Sequence, residues 1–378
     1  MNNQLCHYRD VCGGCSSQDT PYSDQLVQKQ TIIEELFFSH QVNAIVPTEN
    51  PWHYRGKMEF SFSQDKKGNQ YLGLYIPKSR GKVVDLPNCL IAKAPTQTIL
   101  ENVRKWWKET ELNAYFPPRD RGSLQTLTLR SGINEMVILT VSGNSDYALS
   151  KSQLNSFVKA VQLDATTSVY LIIKRICKKK PTEFYEMHLA GPPHLEETLC
   201  GHTFHISPQA FFQPNREVAE KMFLSSIDML ELTGTEKVLD LYCGMGAIAM
   251  ILAPHVCQVV GIELNSMAVC DAKDNIERLG LENVQIYQGD VGKILESTLA
   301  FYTPDIIVVD PPRSGLDEKS KILIEKVRPN KILYISCNPK TQAEDIANLS
   351  GYQIKTIAPF DQFPHTPHIE NIILLTTI

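Results

Sequence analysis

The chain has 378 residues, 43% hydrophobic and 21% charged, with a formal net charge of −5. That length predicts two or three domains rather than one small core. No apolar run approaches the roughly 20 residues needed to span a bilayer. The opening Met1-Asn2-Asn3-Gln4-Leu5-Cys6 lacks the basic and apolar stretches of a secretory signal, so a cytoplasmic protein without a membrane partner is expected. The charge is uneven. Residues 1–205 carry 23 Lys and Arg against 20 Asp and Glu, and residues 206–378 carry 14 against 22. A basic half joined to an acidic half suits a binding domain beside a small-molecule domain. Contact with phosphates needs a local basic patch, not a basic total. At this size and without a signal, the ten cysteines do not read as a disulfide scaffold. Close spacing points instead to metal or catalysis.

In chain order, residues 1–20 are rich in Cys, Gly, Ser and Asp, without periodicity, and read as a ligand-bearing loop. From Tyr22 to His40 the apolar residues Leu26, Ile32, Ile33, Leu36 and Phe37 recur at helical spacing. Between Tyr54 and His205 short alternating runs predict a mostly antiparallel sheet, among them Met58 to Phe62, Tyr71 to Tyr75, Thr126 to Leu129, Met136 to Val141 and Val169 to Ile173. Helices are expected from Pro95 to Thr110 and from Ser150 to Gln162. Lys174, Arg175, Lys178, Lys179 and Lys180 form a candidate phosphate patch. After residue 206, strands alternate with helices: Val238–Leu241, Val259–Ile262, Val284–Tyr287, Ile306–Val309, Lys331–Ile335 and Asn371–Thr376. This predicts a doubly wound, Rossmann-like α/β domain over 206–378. It follows a loop and helix over 1–50 and a β-rich domain over 51–205.

The first of these later strands runs into Tyr242-Cys243-Gly244-Met245-Gly246-Ala247. Glycines at such a turn let a backbone approach a ligand closely. The third position of a dinucleotide fingerprint is Ala249, so the glycines alone say little. Asp240 and Glu263 add more. Glu263 ends the second strand, where an acidic side chain can hold both ribose hydroxyls. Asp240, just before the glycine turn, suits the cationic amino-acid moiety of S-adenosyl-L-methionine better than a pyrophosphate. Asp290 follows the third strand, where an adenine contact is expected. Each residue taken singly also fits capping or turn chemistry; the ordered set reads as a cofactor site.

The fourth strand ends in Asp310-Pro311-Pro312-Arg313, where enzymes that methylate exocyclic amines carry an aromatic residue in place of Arg313. The fifth ends in Ser336-Cys337-Asn338-Pro339. A cysteine at the carboxyl end of a parallel strand faces the ligand crevice. Carbon-5 of uracil is a poor nucleophile, and addition of a thiolate to carbon-6 makes it reactive toward a methyl sulfonium. A base must then remove the carbon-5 proton. Glu370, within Phe363-Pro364-His365-Thr366-Pro367-His368-Ile369-Glu370, is the candidate base. His365 and His368 are expected to hydrogen bond rather than to bind metal.

Together these residues resemble the RNA uracil-5 methyltransferases over almost the whole chain. The likeness rests on Phe211-Phe212-Gln213-Pro214-Asn215, Asp240 to Gly246, Asp310 to Arg313, Ser336 to Pro339 and His365 to Glu370. The resemblance implies cofactor contacts at Gln213, Tyr242, Glu263 and Asp310 beside Asp240, Gly244 and Asp290. It implies Cys337 as nucleophile and Glu370 as base. Cys6, Cys12 and Cys15 show C-x5-C-x2-C spacing, and Cys89 is the fourth candidate ligand. Four thiolates suit either zinc or a 4Fe-4S cluster. The ribosomal-RNA members that the chain resembles carry the cluster, which implies 4Fe-4S and a 23S ribosomal RNA substrate, with tRNA as the alternative. Tyr54-Arg55-Gly56-Lys57 departs from the family's Tyr-Arg-Asn-Lys at glycine. Some members carry an N-terminal β-barrel, which is not expected here because the cysteine motif opens the sequence. The protein is expected to act on RNA as a monomer. A cytosine-5 methyltransferase would need the same covalent logic but a Pro-Cys pair on the preceding loop. A non-catalytic RNA-binding iron–sulfur protein would not need Cys337 and Glu370.

Overall fold

The structure, a computed structural model, describes residues 5–79, 81–93, 95–176 and 181–378. The chain forms two compact units, one of Met1–Asp19, Asn50–Glu197 and Ile206–Pro208, the other of Thr20–Glu49, Thr198–His205 and Gln209–Ile378. The first helix, α1 (Tyr22–Leu36), falls in the second unit, whereas the cysteine-rich loop before it falls in the first. The sequence reading groups these two over 1–50; the folded chain separates them.

In the first unit the alternating runs become a seven-stranded sheet. Its strands are β1 (Lys57–Gln64), β2 (Gln70–Tyr75), β3 (Val83–Asp85), β4 (Leu124–Ser131), β5 (Glu135–Ser142), β6 (Ser168–Arg175) and β7 (Glu183–Ala190), in the order β3-β2-β1-β4-β5-β6-β7. All pairings are antiparallel except β5 with β6. Parallel neighbours need a crossover connection, and the chain supplies it through the helix Lys151–Val161. Helix α2 (Thr96–Lys108) turns a stripe of Ile99, Leu100, Val103, Trp106 and Trp107 into the core. There the Trp107 ring meets Phe62 edge-on at 5.0 Å, a favoured aromatic geometry. Helix α3 (Lys151–Val161) starts from a reciprocal cap in which Ser150 and Gln153 each satisfy the other's backbone N–H. Strands β3 and β7 are additions to the sequence reading. The first is only three residues long, and the second has no clean alternation.

The chain then runs through β8 (Leu195–Leu199), β9 (His202–Ile206) and α4 (Arg216–Leu230) into the second sheet. That sheet is built from β10 (Lys237–Leu241), α5 (Ala247–Leu252), β11 (Gln258–Glu263), α6 (Ser266–Leu279), β12 (Val284–Gln288), α7 (Val291–Leu299), β13 (Ile306–Val309), α8 (Glu318–Val327), β14 (Lys331–Ser336), α9 (Pro339–Ala347), β15 (Tyr352–Phe360) and β16 (Glu370–Thr377). The strand order is β12-β11-β10-β13-β14-β16-β15. The first five are parallel; β10, β11, β13 and β14 are largely apolar and buried on both faces, whereas the edge strand β12 exposes Gln285, Tyr287 and Gln288. The last two are antiparallel, which closes the anticipated doubly wound sheet with a reversed hairpin. From β10 the chain winds outward through β11 and β12, then returns to lay β13 on the other side. That reversal opens a crevice at the carboxyl ends of β10 and β13.

Candidate active site

A cavity of about 1070 Å³ occupies this crevice and is lined by the ends of β10, β11, β13 and β14 together with Phe363 and Glu370. Eight of the sequence-identified site residues line it: Gln213, Tyr242, Gly244, Glu263, Asp290, Asp310, Cys337 and Glu370. The turn after β10 takes Tyr242, Gly244 and Gly246 to positive φ values of 62°, 56° and 76°. Glycine adopts this region readily, and a non-glycine residue there marks a constrained turn. Glu263 holds the turn from the neighbouring strand. One of its carboxylate oxygens accepts the Gly244 N–H at 2.9 Å, and the other accepts the Asn265 N–H at 2.7 Å. Tyr242 donates its hydroxyl to Asp317 at 3.1 Å. Asp290 occupies the position before α7 without capping it, which leaves its carboxylate to the cavity. Gln213 accepts a hydrogen bond from Gln362 at 3.1 Å.

Asp240 is different. It is fully buried on β10, where the Ala249 backbone N–H favours its charged form and, among the described residues, no side chain hydrogen bonds to it. Burial, and then the carboxylates of Asp310 and Glu263, hold its pKa well above the ordinary range. Burial also pushes Asp310 up to about 7. Buried carboxyl groups without a partner are costly in a folded protein. Asp240 with the neighbouring carboxyl groups of Asp310 and Glu263, beside a cavity, is suited to a cationic ligand.

At the carboxyl end of β14 the cavity wall is built by strand register. Ser336 on β14 pairs with Asn371 on β16. In an antiparallel ladder the next residues outward are then Cys337 and Glu370, so two groups 33 positions apart meet at the sheet's end. Burial raises the Cys337 thiol pKa, and so do Glu370 and Asp310, whereas Arg313 lowers it through its charge and a hydrogen bond. Glu370 is only 5% exposed, and burial and Asp310 raise its carboxyl well above the usual range, opposed in part by Arg313. The Arg313 guanidinium thus acts on both groups. Its backbone is pinned because its carbonyl accepts hydrogen bonds from Asn338 at 3.0 Å and Thr341 at 3.3 Å. Asp317 and Gln362 join this site without having been singled out from the sequence; their partners Tyr242 and Gln213 are distant in the chain, so no local pattern announces them.

In the first unit, Cys6, Cys12, Cys15 and Cys89 line one small cavity of about 20 Å³ with Arg9 and Gln18. The Tyr8 N–H donates to Cys6 Sγ and the Gly14 N–H to Cys12 Sγ, both at 3.4 Å. Burial raises the thiols of Cys12, Cys15 (to about 11) and Cys89 (to about 12), and neighbouring sulfurs raise each of them further. Among the described residues no group of three or more His, Cys, Asp or Glu is arranged to hold a metal ion. No described helix is long and apolar enough to cross a membrane. Of the basic patch, Lys174 lies over the Phe184 ring and Arg175 lies 3.9 Å from Glu183. Lys178, Lys179 and Lys180 lie outside the described residues. The ring of His368 meets Phe363 edge-on, and His365 bonds to Gln25.

Known proteins decide the family. Residues 194–378 match the model of the tRNA (uracil-5-)-methyltransferase family. An RNA methyltransferase of Protochlamydia amoebophila, itself uncharacterized, is 44% identical over 98% of this chain and 90% of its own length. The chain belongs to the RNA uracil-5 methyltransferase family. A second uncharacterized RNA methyltransferase, from Chlamydia trachomatis, is 36% identical over 98% of this chain and 97% of its own length. The crystal structure of Pyrococcus abyssi tRNA (uracil-54, C5)-methyltransferase with S-adenosyl-L-homocysteine covers 99% of this chain and 88% of its own, with a TM-score of 0.79 at 24% identity.

Proposed function

We propose that this family member transfers a methyl group from S-adenosyl-L-methionine to carbon-5 of a uridine in RNA. The observation that carries the reading is the convergence on one cavity of a thiol, a buried carboxyl group and a guanidinium, beside the buried carboxyl groups of Asp240 and Asp310. Asp240 and Asp310 suit the positive methionine end, while Glu263 and Asp290 suit the ribose and adenine. Gln213, Tyr242 and the Gly244 turn complete the cofactor contacts. When bound, S-adenosyl-L-methionine supplies the methyl group as a sulfonium electrophile. The Cys337 thiolate adds to carbon-6 of the uracil, and the electron pair moves to make carbon-5 a nucleophile. Once carbon-5 carries both methyl and hydrogen, the Glu370 carboxylate takes that proton, and the returning electrons expel the Cys337 thiolate. A carboxylate with a raised pKa is the stronger base. The target uridine must leave its stack to reach both groups.

Cys337→Ala is expected to abolish transfer while S-adenosyl-L-homocysteine binding survives. Wild type with 5-fluorouridine RNA and cofactor should form an adduct that resists denaturation, and the same adduct in Cys337→Ala would remove Cys337 from the role.

In this reading the substrate is 23S ribosomal RNA, and Cys6, Cys12, Cys15 and Cys89 hold a 4Fe-4S cluster. Four thiols on one cavity and two N–H groups directed at sulfur support the donor set, because such hydrogen bonds are a feature of cluster sites. The cluster would staple the N-terminal loop to the first sheet through Cys89. Anaerobically purified protein should then carry about four irons per chain, and Cys89→Ser should lose them. Stoichiometric zinc without iron would overturn the assignment. The match to the tRNA (uracil-5-)-methyltransferase family and the likeness to the Pyrococcus tRNA enzyme support tRNA as a second reading of the substrate. Mapping 5-methyluridine in both RNAs from cells lacking the protein separates the two.

A further inference from the structure

The buried face of α1 is chemically unusual. Gln25, Lys29 and Ile33 are 2%, 3% and 0% exposed. Their spacing of four puts them in one stripe along the helix. An apolar stripe would suffice to dock a helix, yet two of these three residues are polar and one is a cation. Lys29 places Nζ 2.5 Å from an Asp361 carboxylate oxygen and donates to the Phe363 carbonyl at 3.1 Å. Gln25 accepts the His365 backbone N–H at 2.9 Å, and its amide nitrogen lies 3.2 Å from His365 Nδ1. All of these partners lie in the short segment between β15 and β16.

That segment is the one that matters for the chemistry. It carries Phe363, which lines the cavity, and it ends at Glu370. It has no ladder of its own over residues 361–369. His365 within it is held at a φ of +63°, a conformation that a non-glycine side chain disfavours. Such backbone persists where the surroundings over-determine it, and the Gln25 bonds to His365 are part of that constraint. Desolvating a lysine and an aspartate is a poor way to gain stability compared with packing apolar groups of similar size. What the pair does supply is a fixed direction and distance.

We propose that Gln25 and Lys29 are positioning residues for methyl transfer, clamping the 361–369 segment so that Phe363 and Glu370 keep their place at the cavity. The clamp rests on the reading of Glu370 as the base, and its signature is therefore a stalled second half of the reaction. A displaced Glu370 still permits thiolate addition and methylation, but it removes the carbon-5 proton slowly. Enzyme should then accumulate as a methylated covalent complex on ordinary RNA.

The test uses the full chain and RNA from cells lacking the protein, with labelled S-adenosyl-L-methionine. Gln25→Ala removes hydrogen bonds without burying a lone charge. The double substitution Lys29→Met with Asp361→Leu removes both charges together, and Lys29→Arg keeps the cation. Misplacement of a reacting group costs on the order of tenfold to a hundredfold in rate. A loss of that size in kcat is expected for Gln25→Ala and for the double variant, with accumulated methylated adduct. Affinity for S-adenosyl-L-homocysteine should not change, and Lys29→Arg should retain most of the rate. Glu370→Gln run in parallel calibrates the adduct. If Glu370→Gln itself gives none, the reading of the base fails. If it gives adduct but the α1 variants turn over like wild type, or slow down without adduct, the clamp alone is overturned. Gln25→Ala keeps the test open should the double variant not fold.

Discussion

At Cys337 two influences oppose each other, and the balance sets when the thiol is reactive. Burial, Glu370 and Asp310 favour the protonated form, whereas the Arg313 guanidinium favours the thiolate. A thiol whose pKa is raised holds little thiolate at neutral pH, and below that pKa the thiolate fraction grows about tenfold per pH unit. Under the proposed role of Cys337 as nucleophile, single-turnover methylation should therefore accelerate with rising pH until the inflexion is passed. Arg313→Gln takes away the lowering influence, so the inflexion should move to higher pH. The loss should be largest well below both inflexions and should shrink as the pH rises past them. A rate profile between about pH 6 and about pH 10 decides the point: an inflexion that stays in place would show that Arg313 does not act on the thiol. The same residue cannot be replaced by lysine without consequence if its planar fork matters.

The element that carries Arg313 is the loop from Asp310 to Asp317, and its shape depends on α9. Asp345 accepts the Leu316 N–H at 2.8 Å and the Tyr334 hydroxyl at 2.6 Å, and it lies 3.3 Å from Lys321 Nζ. Gly315 turns at a φ of +81° directly against this carboxylate, where an added Cβ would lie 2.4 Å from an oxygen. Gly315→Ala should therefore displace Asp345 and strain the turn, at a cost of about 1–3 kcal/mol. Urea unfolding and a titration with S-adenosyl-L-homocysteine measure both consequences; unchanged stability would mean that the Asp345 side chain yields freely. Much of this architecture is legible in the sequence. Strands β10, β11, β13 and β14 are continuous apolar runs, and the motifs at their ends stand where ligands bind. Other parts are not legible. Strand β15 contains Lys355, Thr356 and Pro359 and a register shift between Ile354 and Thr356, features tolerated at a sheet edge. The meeting of Cys337 with Glu370 depends on pairing register. The buried Gln25 and Lys29 interrupt the apolar pattern of α1, and only their partners, more than 300 residues away, explain them.

Across the whole molecule, the cavity's carboxyl groups couple folding, pH and ligand. Asp310 has an ordinary value of 3.8 and is pushed up to about 7 in the folded protein. The folded form then holds this proton more tightly than the unfolded form. Its contribution to stability is full below about pH 4 and is lost as the pH rises through about 7. Asp240 and Glu370 are shifted in the same direction and extend the loss upward. The protein without cofactor should therefore melt at a lower temperature at about pH 8 than at about pH 6 as far as these groups are concerned. A cationic ligand reverses the preference, because it is attracted to the ionised carboxylates. Under the proposed reading, the affinity for S-adenosyl-L-methionine should rise with pH through about 7, and binding below that pH should release protons. The rise in melting temperature caused by the ligand should be larger at about pH 8 than at about pH 6. Titration calorimetry in two buffers of different ionisation enthalpy counts the released protons. Proton uptake on binding, or a ligand effect that is greater at the lower pH, would mean that these carboxyl groups do not receive the positive end of the cofactor. S-adenosyl-L-homocysteine lacks the sulfonium charge but keeps the ammonium, so it should show a weaker form of the same pH dependence. Asp240→Asn, which removes one buried carboxylate, should flatten it.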